Sequence, residues 1–263
     1  MHPIFLKIGS FELASYGVMT ALGYIAATLY LLPRLPKIKL DKDTFWNLIF
    51  ITFLGALLGA KLLFIFVSWP QLNGTALQKI MYFVQNFRYG FVFYGGLITA
   101  ATALIIYMKK KRLPLLQTAD FMIVGLPLGH ALGRVGCFLA GCCHGRPTDL
   151  PWGVTFTDPH SMVSPELLGV PLHPVQLYEA VGNLLIFFLL HKLYQRPHKN
   201  GTILLVYIAC YSLLRFMLEF VRGDFRGSYF LGLSPAQLIA LAAAVVAAVI
   251  FWKLLPGKDA QHG

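Results

Sequence analysis

Apolar side chains along this chain gather into seven runs, near Phe11 to Leu32, Leu48 to Trp69, Phe91 to Met108, Ala119 to Leu139, Leu177 to Leu193, Ile203 to Val221 and Pro235 to Leu255. Each approaches the roughly 20 apolar residues that a helix needs to cross a hydrocarbon core. An all-α polytopic membrane protein with seven transmembrane helices is therefore expected. The first run lacks an Ala-x-Ala cleavage site and is followed by six more, so it reads as a retained helix rather than a removed signal peptide. No internal repeat, low-complexity tract or linker divides the chain, and residues 1–263 read as a single integral-membrane domain.

The fourth run is the least regular. Gly125, Pro127, Gly129, Gly133 and Gly136 interrupt it, and a broken span lining a polar cavity is the expectation. Between the fourth and fifth runs lies the longest connection, about residues 141–176, with Pro147, Pro151, Pro159, Pro165, Pro171 and Pro174. A connection of that length beside a bundle commonly serves as a lid, a binding element or a partner site.

Composition agrees with the pattern: 57% of residues are hydrophobic and 13% charged. The net charge of +11 changes the picture only when its placement is considered. Arg34, Lys37, Lys39, Lys42, Lys109, Lys110, Lys111, Arg112, Lys192, Arg196, Lys199, Lys253 and Lys258 fall on one side of the spans. Lys7, Lys79, Arg88, Arg134, Arg146, Arg222 and Arg226 fall on the other. The positive-inside rule then places the N-terminus outside, the C-terminus in the cytoplasm and the 141–176 connection on the outer face. Topology and anionic headgroups account for the basic charge, so nucleic acid is not an expected partner.

Ionisable residues inside spans are costly and point to function. On a helix, His130 and Arg134 share a face at i, i+4, and a phosphate-bearing ligand suits that face. Arg215, Glu219 and Arg222 fall at i, i+4 and i+7 and are expected to form one stripe facing away from lipid. An isolated Arg215–Glu219 pair would as readily be a purely structural ion pair, but a further arginine in line weighs against that. His173 and Pro174 enter the fifth run, with Glu179 about one turn inside and in need of a cationic partner.

These residues carry a resemblance. Gly133-Arg134-Val135-Gly136-Cys137-Phe138, His173-Pro174-Val175-Gln176-Leu177-Tyr178-Glu179, Arg215-Phe216 with Glu219-Phe220 and Arg222, and Phe93-Tyr94-Gly95-Gly96-Leu97 resemble the prolipoprotein diacylglyceryl transferase family. Tyr16-Gly17, Gly59-Ala60-Lys61-Leu62 and Leu233-Ser234 with Gln237 extend the likeness over nearly the whole chain. The resemblance implies an enzyme of the bacterial cytoplasmic membrane, acting at its outer leaflet. It would transfer the diacylglyceryl group of phosphatidylglycerol to the lipobox cysteine of a prolipoprotein, form a thioether and release glycerol phosphate.

By the same resemblance, Arg134 and Arg215 contact the phosphate or glycerol headgroup, Glu219 orients Arg215, and Glu179 shapes the polar pocket. Gly133, Gly136, Gly95 and Gly96 permit close approach of lipid and backbone, and Tyr178, Lys61 and Arg222 complete the lipid-binding set. Prolipoprotein lipobox peptides and membrane lipids are the implied partners, with no cofactor and no metal. A relative acting on another thiol or lipid, or a phospholipid-binding or transport protein without chemistry, is the alternative.

Two departures concern catalysis. Tyr94 stands where many members have His, and Cys137 where many have Asn. Tyr94 can hydrogen-bond a headgroup, but a phenol is a poor base at neutral pH. His130, His144 and His173 remain as alternative bases, each with a bland alternative as a hydrogen-bonding, exposed or capping residue. Cys210 reads as a small buried apolar residue. Cys137, Cys142 and Cys143 lack Cys-x-x-Cys metal spacing, and a disulfide of Cys137 with Cys142 or Cys143 would leave one thiol over.

Overall fold

In a computed structural model that describes residues 2–9, 11–87, 90–223 and 232–254, each apolar run folds largely as helix. Arg88, Arg226, Lys258 and the Leu255 end of the last run lie outside the described residues. The order is a hairpin of β1 (Ile4–Ile8) and β2 (Phe11–Ala14), then α1 (Ser15–Leu31), α2 (Lys42–Ser68), α3 (Ala76–Gln85), α4 (Phe93–Lys110) and α5 (Leu115–Ala140). After the short strands β3 (Val154–Thr155) and β4 (Pro171–Leu172) come α6 (Val175–Tyr194), α7 (Thr202–Leu218) and α8 (Pro235–Leu254).

Among the described residues six helices are long and apolar enough to cross a membrane: α1 and the 3-10 turn after it, α2, α5, α6, α7 and α8. The third apolar run also folds as a helix, α4, but Tyr94, Gly95 and Gly96 near its start and Lys109 and Lys110 at its end dilute its apolar character. The chain divides into two compact units, Met1–Pro33 with Ala119–Gly263, and Arg34–Thr118.

In the Arg34–Thr118 unit, α2 and α4 pack through small residues. A Cβ on Gly96 would come within 2.6 Å of the Ala56 carbonyl oxygen, and one on Gly55 within 2.9 Å of Ala100 Cα. Helices in lipid gain no hydrophobic drive from meeting each other, so such close backbone approach supplies the van der Waals contact that holds them. α3 begins with a reciprocal cap: the Thr75 amide donates to Gln78 Oε1 at 2.8 Å and the Gln78 amide to Thr75 Oγ1 at 3.4 Å.

The other unit centres on α5, which is one unbroken helix and not the interrupted span its glycines suggest. Three of these glycines admit α1: a Cβ on Gly125 would meet Leu31 Cδ1 at 3.1 Å, one on Gly129 the Gly23 carbonyl oxygen at 3.0 Å, and one on Gly136 Met19 Cβ at 2.9 Å. Val124, Ile186, Leu190 and Ile203 of α5, α6 and α7 form its buried apolar core. α7 starts where Asp120 of α5 accepts the amides of Gly201 at 2.6 Å and Leu204 at 2.8 Å, satisfying helix-end donors that have no partner within the helix.

The long connection between α5 and α6 has a small core of its own. Phe156, Val163 and Leu172 are buried together, with Phe138, Val154 and Leu167 packed around them. β3 and β4 pair antiparallel within it, and the Met162 amide donates to the Ala140 carbonyl at 2.8 Å.

Candidate active site

Glu179, in the second turn of α6 and fully buried, is where the charged side chains of one unit converge. Its Oε1 lies 3.0 Å from Arg134 Nη2 and accepts the Tyr211 hydroxyl at 3.2 Å, and its Oε2 lies 3.7 Å from Arg222 Nη1. His130 Nε2 is 3.6 Å from Oε1. A buried carboxylate is tolerable only with such partners, and the sequence expectation that Glu179 requires a cation is met twice over. Asn183, one turn on, donates to the Glu179 carbonyl at 2.8 Å.

The i, i+4 pair on α5 meets as its spacing predicts: Arg134 Nε donates to His130 Nε2 at 3.2 Å. That bond uses the lone pair of Nε2, so the imidazole is neutral with its proton on Nδ1. Gly133, beside Arg134, faces space: a Cβ there would meet nothing within 4 Å. Gly133 therefore leaves room at the charged face, whereas Gly136 is filled by α1.

A second ion pair sits on α7, where Arg215 Nη1 lies 2.6 Å from Glu219 Oε2. The other Glu219 oxygen accepts Ser234 Oγ at 2.7 Å. Ser234 and Gln237 also cap α8 reciprocally, with the Ser234 amide donating to Gln237 Oε1 at 3.0 Å and the Gln237 amide to Ser234 Oγ at 3.2 Å. Tyr211 and Arg215, one turn apart, let α7 reach both carboxylates.

Arg222 does not continue the Arg215–Glu219 stripe. α7 ends at Leu218, a 3-10 turn covers Glu219–Val221, and Arg222 is extended at φ −71 and ψ 145. Its backbone forms an antiparallel bridge with Gly145, the Arg146 amide donates to the Val221 carbonyl at 2.9 Å, and Arg146 Nε donates to the Arg222 carbonyl at 3.1 Å. Helical periodicity put Arg222 beside Glu219; the chain turn delivers it to Glu179 instead.

Of the remaining expected residues, Tyr178 accepts the Trp152 indole N–H at 2.7 Å and has His173 Nδ1 at 3.4 Å, tying α6 to the long connection. His144 is buried, with Nδ1 3.0 Å from the Gly145 carbonyl oxygen. Tyr94, Gly95, Gly96 and Lys61 belong to the Arg34–Thr118 unit. Tyr94 is exposed in the first turn of α4, and Gly95 and Gly96 face α2, whose approach uses the space they leave. Lys61 is buried among Phe64, Phe87 and Phe91 and donates to the carbonyls of Phe87 at 3.1 Å and Asn86 at 3.4 Å.

Sequence reasoning assigned no role to Tyr211, Asn183 or Asp120; the last two were polar residues in apolar runs, the one signal that marks them. Nor did it foresee that the Sγ atoms of Cys137, Cys142 and Cys143 lie within 4.8 Å of one another. Cys143 is the one pushed down, by hydrogen bonds from Cys137 and Cys142 and then by Arg222 and Arg134, while donation to both neighbours pushes Cys142 up.

A family model described as prolipoprotein diacylglyceryl transferase matches residues 3–253. A phosphatidylglycerol–prolipoprotein diacylglyceryl transferase of Clostridium tetani (strain Massachusetts / E88) is 34% identical over 251 residues, covering 95% of this chain and 97% of the relative. A second enzyme so named, numbered 2, from Clostridium perfringens (strain 13 / Type A) is 33% identical over 241 residues, 92% of this chain and 91% of the relative. One from Clostridioides difficile (strain 630) is 32% identical over 247 residues, 93% of this chain and 92% of the relative. The match takes in every apolar helix and each of the charged residues gathered around Glu179 and Glu219, and the chain belongs to the prolipoprotein diacylglyceryl transferase family.

Proposed function

We infer that this protein transfers the diacylglyceryl group of phosphatidylglycerol to the thiol of a prolipoprotein lipobox cysteine, forming a thioether and releasing glycerol phosphate, the first step of lipoprotein maturation. Family membership and the names of the relatives support the reaction. The observation that carries it into this chain is a set of three arginines, Arg222 buried and Arg134 and Arg215 partly buried, each held by a carboxylate.

A phosphodiester leaves only if the charge growing on its departing oxygen is met by fixed cations. Arg134 and Arg215 contact the headgroup phosphate, Glu219 fixes the rotamer of Arg215, and Glu179 spaces Arg134 from Arg222. The open face at Gly133 admits the glyceryl carbons beside Arg134. His130, whose acceptor nitrogen already serves Arg134, orients that arginine and takes no proton.

For the membrane we infer seven spans, with α4 as the third. Its 18 residues rise about 27 Å at about 1.5 Å per residue, close to a hydrocarbon core of roughly 30 Å. The N-terminus lies outside and the C-terminus in the cytoplasm of the inner membrane, and the long connection and the charged cluster face the outer leaflet. The lysines and arginines of the short connections support that orientation.

The test is mass spectrometry of a lipobox peptide incubated with the protein in nanodiscs containing phosphatidylglycerol. A diacylglyceryl adduct on the peptide cysteine, absent when that cysteine is serine, is the expected result. Lipid bound without being consumed would replace the transferase reading with lipid binding.

A further inference from the structure

The proposed transfer leaves one problem unsolved, removal of the acceptor thiol's proton, and one group unused, the thiol triangle at the end of α5. The triangle is built by local backbone geometry that sequence spacing hides. Gly141, at φ 81, and Cys143, at φ 60, turn the chain back over the helix end. A side-chain-bearing residue held in the left-handed region marks a place where surroundings impose the conformation. Here the Gly141 amide bonds the Cys137 carbonyl at 2.9 Å, and Gln176 Nε2 donates to the Cys142 carbonyl at 2.8 Å. The three Sγ atoms come within 4.8 Å of one another, none is in a disulfide, and among the described residues no fourth histidine, cysteine or carboxylate joins them.

We propose that Cys137, Cys142 and Cys143 bind a zinc ion as three thiolates and leave its fourth tetrahedral position for the thiol of the acceptor peptide. This rests on the transferase reading above. Three protein ligands with one open position are the arrangement of catalytic zinc, whereas structural zinc closes the tetrahedron with a fourth ligand. A sulfur-only ligand set excludes magnesium and calcium, which take oxygen. His144, the residue next to the cluster, turns its Nδ1 to the Gly145 carbonyl oxygen at 3.0 Å.

The chemistry is the one the reaction lacks. A thiol that coordinates zinc is deprotonated outright, so no separate base is required where Tyr94 replaces histidine and His130 is engaged by Arg134. Four thiolates on one zinc carry two negative charges in excess, and Arg134, one helical turn before Cys137 on α5, supplies a cation beside them. The same Arg134 faces the leaving phosphate, which sets nucleophile and leaving group on adjacent supports.

The step balances without an oxidant or reductant. The acceptor thiol releases its proton to solvent on binding, and its zinc-held sulfur attacks the glyceryl methylene carbon of phosphatidylglycerol. The C–S bond forms as the C–O bond to phosphate breaks, and the electron pair leaves on the phosphate oxygen as glycerol phosphate. The resulting thioether is neutral, ligates zinc weakly and departs.

The full-length protein in nanodiscs, purified without chelator, should contain about one zinc per chain by elemental mass spectrometry. Cys142→Ser and Cys143→Ser should lose that zinc, and Cys210→Ser, on α7, should keep it. With cobalt in place of zinc, thiolate-to-metal absorption bands should shift on adding lipobox peptide and stay unchanged with its serine version. Chelation of the wild-type protein should lower transfer ~100-fold or more, with recovery on adding zinc. Undiminished transfer by zinc-free protein overturns the zinc proposal and leaves the transferase reading intact. Zinc-loaded protein whose cobalt form responds to peptide but which makes no adduct overturns the transferase reading instead. A disulfide within the triangle, or copper in place of zinc, also overturns the zinc site.

Discussion

At the scale of single residues, Glu179 is the position on which most depends. Removing its carboxylate takes from Arg134 and Arg222 the anion they share, and breaking a buried pair in that way costs about 3–5 kcal/mol. Glu179→Ala should therefore unfold in detergent at a markedly lower temperature than wild type, followed by a thermal-shift assay. Arg134→Ala is expected to behave differently. Arg222 and Tyr211 still satisfy Glu179, so the protein should remain folded while diacylglyceryl transfer falls ~100–1000-fold, the usual loss when one fixed donor to a developing oxyanion is deleted. Arg134→Lys, which keeps charge but not the planar fork, should recover only part of it. Ser234 serves two purposes, as cap of α8 and as donor to Glu219. Ser234→Ala should cost about 1–2 kcal/mol in stability and also slow transfer by loosening Arg215.

At the scale of elements, what could be read from the chain was local. The i, i+4 pairs His130–Arg134 and Arg215–Glu219 were visible because helical spacing alone brings them together. Glu179 with Arg134, Glu179 with Arg222, and the thiol triangle join segments far apart in sequence or turned by left-handed residues, and no periodicity contains that. Arg222 was misplaced because the helix was assumed to continue past Leu218. α3 escaped notice because it is short and partly polar, although Thr75 and Gln78 spell its cap. The glycines of α5 were visible as glycines, but whether they break a helix or admit a neighbour depends on α1. That division is testable: Gly23→Leu would drive a side chain into the Gly129 carbonyl oxygen, 2.5 Å from the added Cβ, and should lower the unfolding temperature sharply. Gly133→Ala should leave that temperature unchanged and raise the KM for phosphatidylglycerol.

At the scale of the molecule, the arrangement of charge along the chain predicts which segments face which side. Single cysteines placed at residues 37, 110 and 196 should resist a membrane-impermeant thiol reagent applied to intact cells, and one at 160 should react. Labelling of the first three from outside would invert the orientation and remove the charged cluster from the outer leaflet. The helices were legible as apolar runs; the folded connection between α5 and α6 was not, because its core rests on three residues, Phe156, Val163 and Leu172, spread through a proline-rich segment.

That connection has a mechanical consequence. Its root, Gly145 and Arg146, is stitched by main-chain bonds to Val221 and Arg222, and its return, Leu172 and His173, is stitched to Pro147 and Arg146. Strain applied at the exposed tip around His160 is shared between these two seams and the Met162–Ala140 bond, which passes part of it to the end of α5 where the thiols sit. A protease that severs the tip would cut the chain without cutting the site, whereas a prolipoprotein pulling on the seams themselves would move Arg222 with it.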